Sequence, residues 1–392
     1  MMRNVRRRHW ALRFALVAIV YVAHDAAVWA ATGCSSMFHG NPQHTGVCST
    51  DVRQMSLLWK FRTGNMVRST PAVVDGTVYV GSNDHHLYAL DEATGKPKWA
   101  FMTRGGIASS PFVSGGRVWF TDAANTIYAL SSSTGRLIWK VATGPDLPVV
   151  GGWDFYQSSP TIVDGVLFIG SGDGHLYALS ASTGRRLWAF ATRGRVHTSP
   201  AAWGRHVVFG SMDGALYALD RGTGNLLWRY QTDTRAPFPM TGVFIGSPTI
   251  AADLGLVFAG CRDGYLYAFD LATGRLRWRL DEHGSWVVST PAYENGIVYA
   301  TTSDTRLVEA VDARTGKVLW QEQGAGYEFP SPVVTQQAVY AAFWSAGVGK
   351  YNKANGHPVA GNGGEGPFLS SPVIAGGVLF IGCDDGNVYA FG

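Results

Sequence analysis

Cysteine is scarce in this chain, with four in 392 residues and none adjacent to another, so no dense disulfide framework can hold it together. Charge is scarce too, at 15% of residues, and the formal excess of +4 is misleading. Residues 1–30 contain five arginines and one aspartate, and the rest of the chain is neutral. No basic stripe interleaved with aromatics occurs, which argues against a nucleic-acid partner. Metal-ligand constellations are also missing. His85 and His86, and His39 with His44, have no partnering Cys or carboxylate at ligand spacing and read as exposed loop histidines. The Asp-Gly pairs at Asp173, Asp213, Asp263 and Asp385 lack the further oxygen ligands of a calcium loop and read as hairpin turns. What is abundant is glycine, 49 residues, in a chain that is 46% hydrophobic, the composition of a turn-rich β protein.

The N-terminus stands apart. Arg3, Arg6, Arg7 and Arg8 precede an apolar run over residues 11–23 that is short for a membrane span, followed by Val28-Trp29-Ala30, which permits cleavage before Ala31. Residues 1–30 therefore read as a secretory signal, with an uncleaved anchor as the alternative, and residues 31–56 as an N-terminal leader. Export permits a disulfide between Cys34 and Cys48, which bracket the polar segment 37–46. Ala31-Thr32-Gly33-Cys34 also resembles a lipoprotein box in which Cys34 would be acylated, but alanine stands where leucine is usual, and the disulfide is favoured. Cys261 and Cys383 fall at equivalent places in different repeats and are expected to be free and buried.

The remainder, residues 57–392, is organised by one recurring phrase. Ala89, Asp91, Thr94-Gly95 and Trp99 recur as Ala218, Asp220, Thr223-Gly224 and Trp228, again at Ala268 to Trp278 and Ala310 to Trp320, and with Ser131 or Ser180 replacing the aspartate in the copies ending at Trp139 and Trp188. Alternating Leu-Tyr-Ala-Leu reads as a strand, Asp-x-x-Thr-Gly as a turn with glycine free to take positive φ, and the tryptophan as part of the next strand, buried as an anchor between neighbouring sheets. A second marker, Ser/Thr-Pro, occurs eight times, with prolines at 71, 111, 160, 200, 248, 291, 332 and 372. A period of 40 to 49 residues accommodates four short strands. The chain stops after the third strand of the last unit, while residues 57–61, ahead of the first marker, have the sequence of a fourth strand. The expected fold is all-β: an eight-bladed propeller of four-stranded antiparallel blades, the last closed by the N-terminal strand.

These hairpins resemble the pyrroloquinoline quinone (PQQ) repeat superfamily, and residues 37–46 look like the Met-Phe-x-x-x-Pro-x-His-Thr-Gly leader of its secreted members. The resemblance implies an exported, periplasmic or outer-membrane associated protein. Its function is left open, because the superfamily includes PQQ-dependent dehydrogenases and non-enzymatic members such as BamB, the outer-membrane lipoprotein of the β-barrel assembly machinery. The dehydrogenases share a vicinal cysteine pair over the cofactor, quinohaemoprotein relatives carry Cys-x-x-Cys-His, and the enzymes have long inserted loops. This chain has neither motif and only two insertions, residues 144–157 and 232–246.

The favoured reading is a non-catalytic scaffold or protein-binding module of the bacterial envelope, binding envelope proteins, with the outer-membrane assembly machinery as the named candidate, no cofactor, and contact with the membrane only through a lipid or signal anchor. The alternatives are a small dehydrogenase using PQQ with calcium on alcohols or sugars, and a carbohydrate-binding propeller. The working face should be the rim reached by connections from each blade's last strand to the next blade's first. Three residues before each proline, Arg68, Ala108, Gln157, His197, Ile245, Val288, Phe329 and Leu369 should ring the channel mouth. Asp154, Arg195 and Glu328 would supply charge, Trp153, Phe155, Tyr156, Trp286, Tyr327 and Phe368 aromatic surface, and Phe238 on the second insertion a further apolar anchor.

Overall fold

The computed structural model describes residues 35–148, 154, 157–232, 242–344, 347–362 and 366–392. The signal segment, Cys34, Trp153, Phe155, Tyr156 and Phe238 lie outside them. Eight four-stranded antiparallel sheets follow one another as the blades of a propeller. In chain order their innermost strands begin at Ala72, Phe112, Thr161, Ala201, Thr249, Ala292, Val333 and Val373. Blade 1 shows the pattern: Ala72–Val74, Thr77–Gly81, His86–Asp91 and Pro97–Met102, from the axis outward. Blade 8 supplies only Val373–Ala375, Val378–Gly382 and Asn387–Phe391 from the end of the chain, and Leu57–Arg62 completes it by pairing antiparallel with Asn387–Phe391, Lys60 opposite Tyr389.

The two sequence markers are two rings of bonds. Around the axis, each residue that precedes a marker proline donates its N–H to the hydroxyl of its counterpart in the next blade. Thr70 N–H bonds Ser110 Oγ at 3.1 Å and Ser110 N–H bonds Ser159 Oγ at 2.9 Å. The series continues through Ser199, Ser247, Thr290 and Ser331 to Ser371, whose N–H returns to Thr70 Oγ1 at 3.2 Å. Serine or threonine is needed because one residue must both accept from the preceding blade and donate to the following one. Proline follows because it has no N–H that would be left unpaired on the crowded axis.

Farther out, seven tryptophans bridge successive blades, and Trp188 Nε1 donating to Arg221 O at 3.1 Å is representative. Each indole lies on the glycine of the neighbouring turn, Thr-Gly in six junctions and Asn355-Gly356 beneath Trp320. A Cβ at Gly224, which has φ +74°, would come within 2.7 Å of Trp188 Cδ2, so that glycine is required twice over. The expectation of buried tryptophans needs correction: most are half-buried, because the outermost strand offers the indole one packed face and one wet face, and Trp228 alone among the seven is fully buried.

Blade 7 has no such tryptophan. Ala360 stands there, opposite Lys350. At the junction of blades 7 and 8 the leader supplies the packing: Cys48, Val52 and Met55 pack with Tyr340, Val348, Leu379 and Phe391. Asp51 accepts from Thr335 Oγ1 at 2.7 Å and Tyr340 OH at 2.8 Å, and Lys350 Nζ reaches Val52 O at 2.7 Å.

The rest of the leader crosses the axis. Its carbonyls accept from N–H groups of innermost strands: Ser35 from Val73, Ser36 from Val113, Pro42 from Ala202, Gln43 from Ile250, Thr45 from Tyr293 and Gly46 from Val334, at 2.6 to 2.9 Å. These innermost strands are sheet edges, and the leader supplies the acceptors they would otherwise lack. His39 and His44 are therefore not the exposed loop residues expected, being 3% and 0% exposed. His44 contacts Pro248 O at 3.1 Å and Thr161 Oγ1 at 3.3 Å, and His39 contacts His44 O at 2.6 Å and Pro332 O at 2.9 Å. Burial lowers their pKa values to about 3 for His44 and about 4 for His39, outweighing the backbone carbonyls that pull the other way.

Candidate functional site

With one end of the channel crossed by the leader, access is from the other. The eight residues at the third place before each proline do meet there: Arg68, Ala108, Gln157, His197, Ile245, Val288, Phe329 and Leu369 line a narrow central cavity of about 60 Å³, with the Ser/Thr ring below and Phe38 of the leader among its walls. Repeat symmetry explains this, since each sits at the same point of the same connection, two residues before the axial Ser or Thr. Beside it, over blades 1 to 3, opens a larger cleft of about 460 Å³, sharing Arg68, Ala108, Gln157 and His197 and adding Asn65, Asn83, Asn125, Asp146, Asp154 and Arg195.

The cleft is polar and internally tied. Asp154 accepts from Arg195 Nη1 at 2.9 Å with one oxygen and meets His197 Nδ1 at 2.7 Å with the other. Arg195 also reaches Asp146 at 3.3 Å and Leu147 O at 2.6 Å. Gln157 Oε1 accepts from the N–H groups of Ala108 and Ser109 at 3.0 and 3.1 Å, fastening one connection to the next. Arg68 forms a fork on Asp384, Nε at 3.0 Å and Nη2 at 2.7 Å, across the seam where the ring closes. The side chains that would give this face its charge are thus held in pairs, fixed in place and largely neutralised.

Across the channel the rim is aromatic. Arg262 stacks on Trp286 at 4.5 Å and Arg306 on Tyr327 at 4.7 Å, and the Phe329 and Trp344 rings are 5.6 Å apart. Tyr327 is 42% exposed. Two expected surface residues are elsewhere: Phe368 and Glu328 are both 0% exposed, buried between blades because their place in the repeat, four residues before the proline, is an inward-facing core position. Sequence reasoning missed the cleft's amides, Asn65, Asn83 and Asn125, and the acceptor Asp384, because turn asparagines and aspartates recur throughout such a chain.

A quinone with its calcium wants several converging carboxylates and an amide. The two carboxylates nominated from sequence do not converge: Asp154 is engaged by Arg195 and His197, and Glu328 lines neither cavity. The Asp-Gly aspartates instead clasp tyrosines four residues on, as Asp173 does Tyr177 at 2.6 Å and Asp213 does Tyr217 at 2.6 Å. Among the described residues, no group of three or more His, Cys, Asp or Glu could hold a metal ion. The described residues do not fit the calcium-quinone group.

The family model for the PQQ-repeat protein described as outer membrane protein assembly factor BamB matches residues 44–153, 151–281 and 245–391. The chain belongs to this family. Among solved structures it is similar to BamB from Moraxella catarrhalis, at 19% identity and a TM-score of 0.69 over 86% of this chain and 97% of that one. It is similar also to a europium-containing methanol dehydrogenase, at 14% identity and a TM-score of 0.77 over 92% and 98%. A quinohemoprotein alcohol dehydrogenase from Comamonas testosteroni matches at 14% identity, with a TM-score of 0.74 over 91% and 80%. At these identities the likeness is one of fold. No curated protein matches the sequence.

Proposed function

We propose that this BamB-family propeller is a non-catalytic, exported scaffold of the bacterial envelope that binds envelope proteins through its rim, in a role like that of outer-membrane assembly factors. The observation that carries this reading is the asymmetry of the channel. The chain's own leader crosses one end through bonds to the innermost strands, while the other end carries a fixed polar cleft on one side and arginine-stacked aromatics on the other. Aromatics and arginine on a rigid frame are the anchors that protein interfaces favour. Asp154, the one nominated carboxylate that lines the cleft, is engaged by Arg195 and His197 in holding this frame.

The test is capture of partners from envelope extract. Trp286→Ala with Tyr327→Ala should remove outer-membrane assembly proteins from the mass-spectrometric list of captured chains, with the melting temperature nearly unchanged. Undiminished capture by the folded double variant would refute this rim. The insertions that carry Trp153, Tyr156 and Phe238 are tested in parallel by Trp153→Ala with Phe238→Ala.

A further inference from the structure

Blade 6 departs from the repeat in a concerted way. Glu282 occupies the place after the outer strand of blade 5 where blades 3 and 4 have Thr192 and Thr232, and it makes the same backbone bond, its N–H to Gly264 O at 2.8 Å. Glu309, opposite Gln321, takes the third-strand place that Tyr177 and Tyr217 hold in other blades. Glu328 takes the core place of Val67, Ile107, Val196 and Val287. All three are buried, at 2%, 1% and 0% exposure.

They gather rather than scatter. Glu282 and Glu309 act on each other at side-chain range, and Glu309 acts electrostatically on Glu328. Glu282 Oε1, Glu309 Oε1 and both oxygens of Glu328 have no hydrogen-bond partner. The groups around them include one imidazole, His283, which favours the ionised form of Glu282, and Asp281, which opposes it. Asp281 and His283 flank Glu282, Thr301 of the second strand of blade 6 faces Glu328, and so does Tyr351 of blade 7. The arginines of this rim, Arg262 and Arg306, stack on Trp286 and Tyr327. Three carboxylates so placed cannot all carry charge, because a buried ionised carboxylate without a partner is far costlier than its neutral form.

Their position gives this consequence. Glu282 begins the connection that carries Trp286, and Glu328 follows Tyr327 directly, so the half-buried Trp286 and the exposed Tyr327 of the rim hang on connections rooted in the cluster. We propose that Glu282, Glu309 and Glu328 form a proton-holding core under the rim of blades 5 to 7, which keeps the Trp286 and Tyr327 connections closed while protonated and loosens them as protons leave. This deepens the rim reading, because proton loss would alter the surface offered to a partner.

The sign follows from linkage. A carboxyl held protonated in the closed state and released on opening makes closure weaken as pH rises, about tenfold in the opening equilibrium per pH unit for each proton lost. The experiment is hydrogen exchange of the intact protein from pH 5 to 8, read as protection factors of the connections at residues 283–290 and 325–331, with 194–199 of blade 4 as the internal control. Protection of the first two should fall with pH by tenfold or more per unit while the control stays flat. Glu309→Gln with Glu328→Gln, which mimics the protonated pair, should flatten the dependence. Glu328→Val, which restores the residue of the regular blades, should raise protection at pH 8. Equal pH dependence in parent and variants, or variants less protected than the parent at pH 8, would overturn the proposal. Neither result depends on any partner, so failure of capture and failure of the switch are separately visible.

Discussion

Substituting Gly224 tests the contact that joins one blade to the next. Alanine there would keep a left-handed backbone, φ +74°, which costs an L-residue about 1–2 kcal/mol. Its Cβ would also lie 2.7 and 2.8 Å from Trp188 Cδ2 and Cε3, so the indole must lift from its seat. Overpacking of this kind costs about 1–3 kcal/mol, giving a total of about 2–5 kcal/mol. Trp188→Ala alone removes a half-buried indole packed beside Phe168, with ring centroids 5.7 Å apart, and its bond to Arg221 O. About 3 kcal/mol is expected, the low end for large aromatic truncations. The double variant decides the issue: with the indole gone, only the backbone term of Gly224→Ala remains, so the double should be less destabilised than the sum by about 1–3 kcal/mol. Urea unfolding of parent, single and double variants at constant slope measures this. Additivity within about 0.5 kcal/mol would refute the seat, leaving glycine with a conformational role alone.

Three further outcomes are expected. Because burial depresses the pKa values of His39 and His44 to about 4 and about 3, the stability they contribute is present above pH 6.5 and is lost as pH falls through the range down to those values, on the order of 2 kcal/mol per histidine between pH 6.5 and 5. Acid unfolding of His39→Gln with His44→Gln should lack that steep dependence, and an unchanged slope would show that the pair does not titrate on unfolding. Removing residues 31–62 deletes the closing strand and the leader together, so the truncated chain should aggregate or lose cooperative melting; a melt near that of the intact protein would contradict closure by Leu57–Arg62. Incubated with PQQ and calcium, the protein should neither retain the quinone through gel filtration nor reduce an artificial dye with alcohols or sugars, and turnover abolished by Asp154→Ala would reverse this reading.

The ring was legible because the repeat writes the axial contact eight times and the tryptophan contact seven times. Ser/Thr-Pro and Thr-Gly with tryptophan marked the strands, their number and the missing fourth strand of blade 8, and the step before each proline placed the residues of the channel mouth. What stayed hidden lies where a residue's partner is not in its own repeat. His39 and His44 sit in a polar stretch that reads as a loop, and only the ring assembled around them makes it a buried crossing. The second duty of glycine, as the seat of the neighbouring blade's indole, belongs to the junction and not to the hairpin. Glu328 was placed on the rim by its neighbours Tyr327 and Phe329, although comparison with Val67 and Val287 at the same step assigns it to the core. The glutamate cluster was visible in the same comparison, as three breaks in one part of an otherwise regular pattern.

The most direct test of a working rim is site-specific photo-crosslinking in intact envelopes, with the crosslinker placed either at Tyr327 on the rim or at Trp203, 37% exposed, the last residue of the innermost strand of blade 4. Adducts with outer-membrane assembly proteins from position 327 and none from position 203 are predicted. Adducts from position 203 alone would place the working surface on the leader side and contradict the account.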